Sequence, residues 1–224
     1  MQTNMAIEQQ KKEFQLTLSK LSHEIRNPVA LINSELQLLA SRYPEIEDLD
    51  GWDNVMDNLE YIKDLLNELS DYNNASRLSP EPTDPGKYLR SIVASIKPTL
   101  DYLGIALETE IPQDLPVISI DRIKMRQVLL NLLRNAEESI SHSEGKITVQ
   151  AKALEHGICI SIQDNGCGIE EAHQREIFTP FITYKVNGTG LGLAVAKEVV
   201  EAHKGQLLLE SAPNQGTSFR IFLG

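Results

Sequence analysis

Residues 158–168, ICISIQDNGCG, join a run of alternating apolar and polar residues to an acidic residue and a Gly-x-Gly turn. The alternation predicts a half-buried strand over Ile158–Gln163, which puts Asp164 at the end of the strand. Glycines here would let the backbone approach a flat ring, and the carboxylate could accept a hydrogen bond from an exocyclic amine. The same pattern also forms plain turns and calcium-binding loops, so on its own it leaves these alternatives open.

Around this segment, helix-like and strand-like patterns alternate through the second half of the chain. A helix over 122–141 begins after Asp121, which can cap it, and Gly205 is expected to be the C-cap of the last helix. Mixed strands and helices behind a helical block predict an α/β two-layer sandwich. Strands are predicted over 105–109, 117–120, 147–153, 158–163, 207–211 and 218–223, and further helices over 89–103 and 193–202.

The first half of the chain is predicted to be a helical hairpin. Residues 1–78 contain one glycine and two prolines. Residues 43–51 are predicted to connect two helices, the first about 30 residues long and kinked at Pro28. Each helix carries one apolar seam, which a four-helix bundle formed by a homodimer would bury. The seams consist of Phe14, Leu18, Leu21, Ile25, Ile32, Leu36 and Leu39, and of Val55, Leu59, Ile62, Leu66 and Leu69.

Three prolines in the segment SPEPTDPG, residues 79–86, predict a stiff linker between the two halves. We therefore expect two domains, 1–78 and 79–224. The chain has 32 acidic and 21 basic residues and a formal net charge of −11, which argues against a nucleic-acid surface. The absence of a long apolar run or signal peptide, and the presence of only two cysteines, favour a reducing cytoplasmic compartment.

One histidine stands out on the first predicted helix. In the segment SHEIRNP, His23 lies about 200° around the helix from Leu21 and Ile25, so it should face solvent. A lone exposed histidine is most often simply solvated. Here Glu24 could accept the Nδ1 proton and leave Nε2 as a nucleophile, and Asn27 shares the exposed face, where it could position a water molecule.

Two further patterns suggest ligand binding. Asn131 and Asn135 share one helix face, which is either an ordinary polar face or a carboxamide pair that holds a magnesium ion or its water shell. The loop Asn187–Gly192 carries three alternating glycines before a helix, an arrangement that binds anions through free N–H groups and the helix dipole. Its spacing fits neither the Walker nor the dinucleotide pattern. Upstream, FTPF (residues 178–181) and Lys185 predict a lid with an aromatic anchor and a cation.

Five motifs, SHEIRNP, NLLRNA, DNGCG, FTPF and GTGLG, occur in an order that resembles the catalytic core of orthodox sensor histidine kinases of bacterial two-component signalling. The resemblance covers about residues 8–224, and the short lid is most similar to nitrogen-regulation and sporulation kinases. It implies a hairpin for dimerisation and histidine phosphotransfer, followed by an ATP-binding sandwich of the Bergerat type. DNA gyrase, MutL repair proteins and chaperone ATPases share this second domain.

The resemblance implies an ATP- and Mg²⁺-dependent protein-histidine kinase that phosphorylates itself and then an aspartate of a response regulator receiver domain. Some family members also dephosphorylate the regulator. In this family His23 would accept the γ-phosphoryl group, Glu24 would be the general base, Asn27 would position water, and Asn135 would ligate magnesium. Nucleotide would be bound by Asn131, Arg134, Asn135, Asp164, Gly166, Gly168, Ile169, Phe181, Lys185, Gly188, Thr189, Gly190, Leu191, Gly192 and Thr217.

Two positions separate this chain from its relatives. Hydrolysing members of the superfamily carry a glutamate where Asn131 stands, and an amide cannot activate water as a base, so transfer to histidine is favoured. Many kinases carry Lys or His where Glu138 stands, and Lys185 or Arg134 could replace that phosphate contact. The remaining histidines, His142, His156, His173 and His203, are expected to be surface or loop residues.

Two other functions remain open at this point. The chain could be a dimeric scaffold that binds ATP without phosphoryl transfer, although the intact His23, Glu24, Asn131 and Asn135 count against it. It could instead be an ATP-driven clamp, which Asn131 and the helical hairpin disfavour. Because no sensor region is recognisable, we expect the chain to be part of a longer protein, with any membrane attachment through a missing N-terminal region.

Overall fold

The structure, a computed structural model, describes residues 2–185 and 188–224, without the side chains of residues 2–13 and 15. The chain forms two compact units that divide between Asn74 and Ala75. This division lies four residues before the predicted domain boundary, which followed residue 78.

The first unit is a hairpin of two helices. Helix α1 spans Gln2–Arg42, a 3₁₀ helix spans Pro44–Asp48, and helix α2 spans Trp52–Asn74. Helix α1 has 41 residues rather than about 30, because the polar residues before the apolar seam continue the helix. Pro28 lies inside α1, at the cost of one backbone donor.

Only one of two apolar rows on each helix is buried within the hairpin. Val29 on α1 packs with Leu59 and Leu66 on α2, and Leu36 lies against them. The Arg26 guanidinium also donates a hydrogen bond from Nη2 to the carbonyl oxygen of Leu66, at 3.0 Å. The predicted α1 seam was therefore wrong in omitting Val29, because two helices touch along a single line and that line runs through Val29 and Leu36.

The second row on each helix stays exposed, and we call it the apolar stripe. Its members lie seven residues apart for the most part, beside the buried row, and are 38–48% exposed. The stripe consists of Leu21, Ile25, Ile32 and Leu39 on α1 and of Val55 and Ile62 on α2.

The second unit is a mixed five-stranded sheet with helices on one face, together with a small two-stranded sheet. The large sheet has the order β2-β4-β5-β7-β6, in which β2 and β4 are parallel and the other pairs antiparallel. The elements are β1 Glu81–Thr83, α3 Pro85–Tyr102, β2 Ala106–Glu110, β3 Ile118–Ile120, α4 Arg122–Ser139, β4 Lys146–Leu154, β5 Gly157–Asp164, α5 Gly192–Ala202, β6 Gln206–Ser211 and β7 Thr217–Leu223.

The core of this unit lies between the helices and one face of the sheet. Burial alternates strictly along β7 and nearly so along β5, so every second side chain enters the core. The predicted two-layer α/β sandwich is thereby confirmed. Its fully buried side chains come from both layers and include Met125, Leu129, Leu132, Ile147, Ile158, Ile160, Ile162, Val199 and Ile221.

The segment predicted to be a linker is part of the fold. Strand β1 pairs antiparallel with β3, and the backbone N–H of Ser79 donates to Asp121 Oδ2 at 2.8 Å. Asp84 caps α3 by accepting from the N–H of Lys87, with Pro85 at the first helical position. Prolines are tolerated here because β1 belongs to a two-stranded sheet and the first turn of a helix needs no N–H donor.

The end of α5 also differs from the prediction. His203 is the C-cap and Lys204 takes the positive φ of 59°, so Gly205 is not the cap. His203 is not a mere surface residue, because its Nε2 accepts a hydrogen bond from the Asp121 N–H at 2.9 Å. Its Nδ1 then carries the proton and donates to the Val199 carbonyl at 2.7 Å. The ring thus joins the end of α5 to the start of α4.

Candidate functional site

The first unit presents three predicted site residues on helix α1. His23, Glu24 and Asn27 are all exposed, whereas the neighbouring Ser22 is buried and bonds back to the Leu18 carbonyl at 2.7 Å. The helix therefore turns its buried row away from His23, so an imidazole and a carboxylate at adjacent positions are both accessible to a second reactant. Their roles as nucleophile and base stay predictions.

In the second unit, Asp164 ends strand β5 and is buried, with 5% of its surface exposed. Its Oδ1 accepts hydrogen bonds from Ser139 Oγ at 3.0 Å, the Gly166 N–H at 2.8 Å and the Thr217 N–H at 3.2 Å. Burial raises the pKa of this carboxyl, against the opposing effect of these three donors. These three hydrogen bonds all reach Oδ1, so Oδ2 is the oxygen better placed to accept from a ligand.

The glycines at Asp164 allow a close approach of neighbouring backbone segments. A Cβ on Gly168, where φ is +68°, would lie 2.0 Å from the Ala212 carbonyl oxygen. A Cβ on Gly216, where φ is +81°, would lie 2.0 Å from the carbonyl oxygen of Asp164. These glycines let loop backbone pack on neighbouring backbone, so they shape the site before any ring arrives.

Two serines missed by the sequence analysis support this loop. Ser139, the last residue of α4, donates to Asp164, and Ser211, the last residue of β6, accepts from the Ile169 N–H at 2.8 Å. Ser211 Oγ also donates to the Gly216 carbonyl at 2.9 Å and lies 3.0 Å from Thr217 Oγ1. No local signal marks either serine, because only the fold brings them to the loop.

Helix α4 carries the two predicted asparagines beside the glycine-rich loop. Asn131 Nδ2 donates to the Gly192 carbonyl at 3.2 Å, so it contacts the first residue of α5. Asn135 Oδ1 accepts a hydrogen bond from Lys185 Nζ at 2.7 Å, and the same ammonium forms an ion pair with Glu138. Arg134 is exposed, and among the described residues it has no hydrogen bond or ion pair, so the structure does not bring it to this group.

The N-terminal end of α5 is suited to bind an anion. The helix begins at Gly192 without a side-chain cap on its first turn, which leaves backbone N–H groups available at the positive end of the helix dipole. Gly190, with φ +69°, could not carry a Cβ, which would lie 2.6–2.7 Å from the backbone of Phe181 and Ile182. Thr189 Oγ1 accepts from the Leu191 N–H at 3.2 Å. Asn187 lies outside the described residues.

The lid segment, residues 178–185, is anchored by one of its two phenylalanines. Phe178 packs edge-on against Phe219 with ring centroids 6.4 Å apart, and Lys197 lies 5.7 Å from the centre of its ring. Tyr184 stacks on His173 at 3.8 Å. Phe181, by contrast, is 47% exposed, so of the two phenylalanines only Phe178 anchors the segment.

The comparisons with known proteins agree with this architecture. Residues 120–224 match the family model described as "Histidine kinase-, DNA gyrase B-, and HSP90-like ATPase". The signal transduction histidine-protein kinase AtoS of Escherichia coli (strain K12) is 30% identical over 92% of this chain and 34% of its own length. Sporulation kinase B of Bacillus subtilis (strain 168) is 28% identical over 92% of this chain and 48% of its own.

A solved structure is similar over both units. The crystal structure of full-length ShkA in complex with AMPPNP has a TM-score of 0.71 and 25% identity, and the match covers 92% of this chain and 44% of that one. The fold and the site thus define an ATPase domain of the histidine kinase, gyrase and chaperone type. With the helical hairpin in front of that domain, the chain is the catalytic core of a sensor histidine kinase.

The chain spans between a third and a half of the length of these curated relatives. Within the described residues, no helix is both long and apolar enough to cross a bilayer.

Proposed function

We propose that this chain phosphorylates its own His23 with ATP and passes the phosphoryl group to an aspartate of a response regulator receiver domain. The observation that carries the proposal is the combination, in one chain, of an exposed His-Glu pair on α1 and a nucleotide-type site in the second unit. ATP and receiver domains are found in the cytoplasm, which is the location we propose for this chain.

The second unit offers groups for the adenine base, the phosphates and the magnesium ion. Oδ2 of Asp164 is available for the exocyclic amine of adenine, and Thr217, also buried, lies next to it. The N–H groups at Gly192 suit the phosphates. Asn135 suits Mg²⁺, since its Oδ1 already accepts from a cation, the Lys185 ammonium. Magnesium, when bound, would neutralise charge on the triphosphate.

The proposed chemistry uses His23 as the nucleophile. Its Nε2 forms a bond to the γ-phosphorus while the bond between that phosphorus and the β–γ bridging oxygen breaks, which releases ADP. Glu24 accepts the Nδ1 proton, so the ring does not retain a positive charge. The bond between Nε2 and phosphorus then breaks as the aspartate carboxylate takes the phosphoryl group, and the proton returns from Glu24 to Nδ1, which regenerates neutral His23. Asn131 cannot serve as a base, which disfavours attack by water in place of His23.

Incubation with ATP followed by chemical analysis of the protein tests this proposal. A phosphohistidine is labile to acid and stable to alkali, and we expect one such group that maps to the peptide containing His23. Nucleotide binding without labelling would identify a scaffold instead, and ATP hydrolysis without labelling would identify a clamp.

We further propose that the hairpin forms a homodimer through the apolar stripe. An exposed row of large aliphatic residues, heptad-spaced on both helices, is the pattern that a four-helix bundle buries. Two copies of the hairpin would supply four such rows, and a two-fold axis would bring them together.

Ile32→Glu is expected to weaken dimerisation at least tenfold, because burying an unpaired carboxylate at the centre of the stripe is costly. Sedimentation equilibrium measures the effect. Leu31→Glu is the matched control, since Leu31 is 65% exposed and lies about 100° around α1 from Ile32. A monomeric wild-type chain, or equal dissociation constants for the two variants, would contradict the assignment.

Glu24 and Asn27 are proposed to divide two reactions between them. Asn27 lies one turn beyond His23 on the exposed face, where its amide can hold a water molecule in line with a regulator's phospho-aspartate. Asn27→Ala should therefore slow dephosphorylation of the regulator about tenfold or more and spare most autophosphorylation, while Glu24→Ala should do the reverse.

Time courses of regulator dephosphorylation and of autophosphorylation measure the two activities separately. Glu35→Ala, an exposed glutamate on the same helix, is the control and should change neither. If Asn27→Ala and Glu24→Ala each reduced both activities equally, the division of roles would be wrong.

A further inference from the structure

Helix α4 holds a cation between two oxygen ligands. Asn135 and Glu138 are three residues apart, so their side chains lie on the same face of the helix. The ammonium of Lys185 donates to Asn135 Oδ1 at 2.7 Å and pairs with Glu138 Oε2. Lys185 is separated in sequence from these partners by 50 and 47 residues, so the fold, and not local geometry, creates this contact.

The chemistry of these ligands suits a metal ion at least as well as an ammonium. An amide oxygen and a carboxylate are hard donors, and Mg²⁺ is usually held by one or two protein oxygens together with substrate phosphates and water. Among the described residues there is no group of three or more His, Cys, Asp or Glu that could hold a metal without a substrate. Two protein ligands completed by the triphosphate fit this usual coordination of Mg²⁺, and they require no larger group of protein ligands.

We propose that Asn135 and Glu138 form one cation site, for which the Lys185 ammonium and Mg²⁺ compete. The inference rests on the proposed function and adds two roles to it. Glu138 is a second oxygen ligand of the magnesium site, directly or through water, and Lys185 is a competing cation carried by the lid segment. When Mg²⁺ and the triphosphate enter, the Lys185 ammonium leaves both oxygen ligands.

If Lys185 and Mg²⁺ compete for one site, removing Lys185 and removing the Glu138 charge should have opposite effects on magnesium binding, which a simple ion pair would not predict. Lys185→Met removes the competing cation, so the free Mg²⁺ concentration that half-saturates nucleotide binding should fall. Glu138→Gln removes the charged ligand, so the same concentration should rise. Each shift should be about threefold, since both side chains are more than 40% exposed and their pairing is weakened by solvent.

The experiment is a magnesium titration of AMPPNP binding, followed by calorimetry at a fixed, subsaturating concentration of the analogue. The readout is the half-saturating concentration of Mg²⁺ and does not depend on catalysis. Lys97→Met is the matched control, because Lys97 forms an exposed ion pair with Asp101 on α3, and it should leave the titration unchanged. Thermal unfolding of each variant checks that the domain is folded.

Opposite shifts in the two variants would support the shared cation site. Shifts in the same direction, or no shift, would overturn it while leaving the proposed kinase function intact, since both variants lose the same ion pair. A wild-type chain that fails to bind AMPPNP at any Mg²⁺ concentration would overturn the proposed function and the cation site together.

Discussion

His23→Gln is expected to reduce autophosphorylation at least about a thousandfold, as the loss of a nucleophile does in other enzymes. The side chain is exposed on α1, and glutamine preserves its polarity and helix compatibility while removing the nucleophilic nitrogen. Because His23 belongs to the hairpin and the proposed nucleotide ligands belong to the second unit, the affinity for AMPPNP should stay within about twofold of the wild-type value.

Transfer of radiolabelled phosphate from ATP to the protein measures this effect, and calorimetry measures the affinity. His156→Gln is the matched control, since the His156 side chain is 90% exposed in the turn between β4 and β5 and should be dispensable. Substantial labelling of His23→Gln, or loss of labelling in His156→Gln, would show that a different residue accepts the phosphoryl group.

Asp164→Asn should weaken ATP binding by about 100-fold. Oδ1 already accepts from three donors in the wild-type structure, so an asparagine must keep its oxygen there and turn its NH₂ group towards the ligand. Two donors, this NH₂ and the adenine amine, would then face each other in a buried site, and a buried donor without an acceptor is costly.

A comparison of ATP with ITP, which differ only in the base, tests whether the effect arises from contact with the base. Hypoxanthine carries an oxygen where adenine carries its amine, so Asp164→Asn should lose the preference for ATP over ITP, or reverse it. Calorimetric titrations with both nucleotides measure the ratio, and Asp114→Asn, at an exposed position in the same unit, is the control. An unchanged ATP affinity and ATP-to-ITP ratio would mean that Asp164 does not contact the base.

We also expect nucleotide binding to depend on the protonation of the Asp164 carboxyl, and therefore on pH. Burial raises the pKa of Asp164, and only the ionised form offers both oxygens as acceptors. Nucleotide binding should therefore weaken as the pH falls through this raised pKa, at a higher pH than an ordinary aspartate would require. Asp164→Asn should lack that part of the pH profile.

The sequence predicted most elements of the second unit because their signals are local. Alternation along β5 and β7 comes from a sheet that is buried on one face, and Asp121 was recognised as a cap from its position before α4. The exposure of His23 followed from its angle to the seam on α1. Wherever burial or exposure repeats with the period of a helix or strand, the pattern can be read without the fold.

The prediction was wrong where distant backbone decides the structure. The proline-rich segment 79–86 forms β1 and starts α3 because β3, more than 30 residues away, supplies a pairing edge. Val29 is buried, whereas Ile25 and Ile32 of the predicted seam are exposed, because α2 contacts α1 along a line that passes through Val29. Neither effect leaves a mark on the local sequence pattern, since both depend on which surfaces meet.

By itself, the sequence determined the order of the motifs, the fold class and the placement of Asp164 at a strand end, because strand and helix periodicity and the glycine spacings are carried by neighbouring residues. Only the tertiary structure decided how the site is supported. It brought Ser139 and Ser211 to the loop after β5, placed loop backbone where Gly168 can have no side chain, and joined Lys185 to Asn135 and Glu138. Such contacts arise between residues tens of positions apart, and their geometry is set by the packing of α4 and the loops against one sheet rather than by any spacing along the chain.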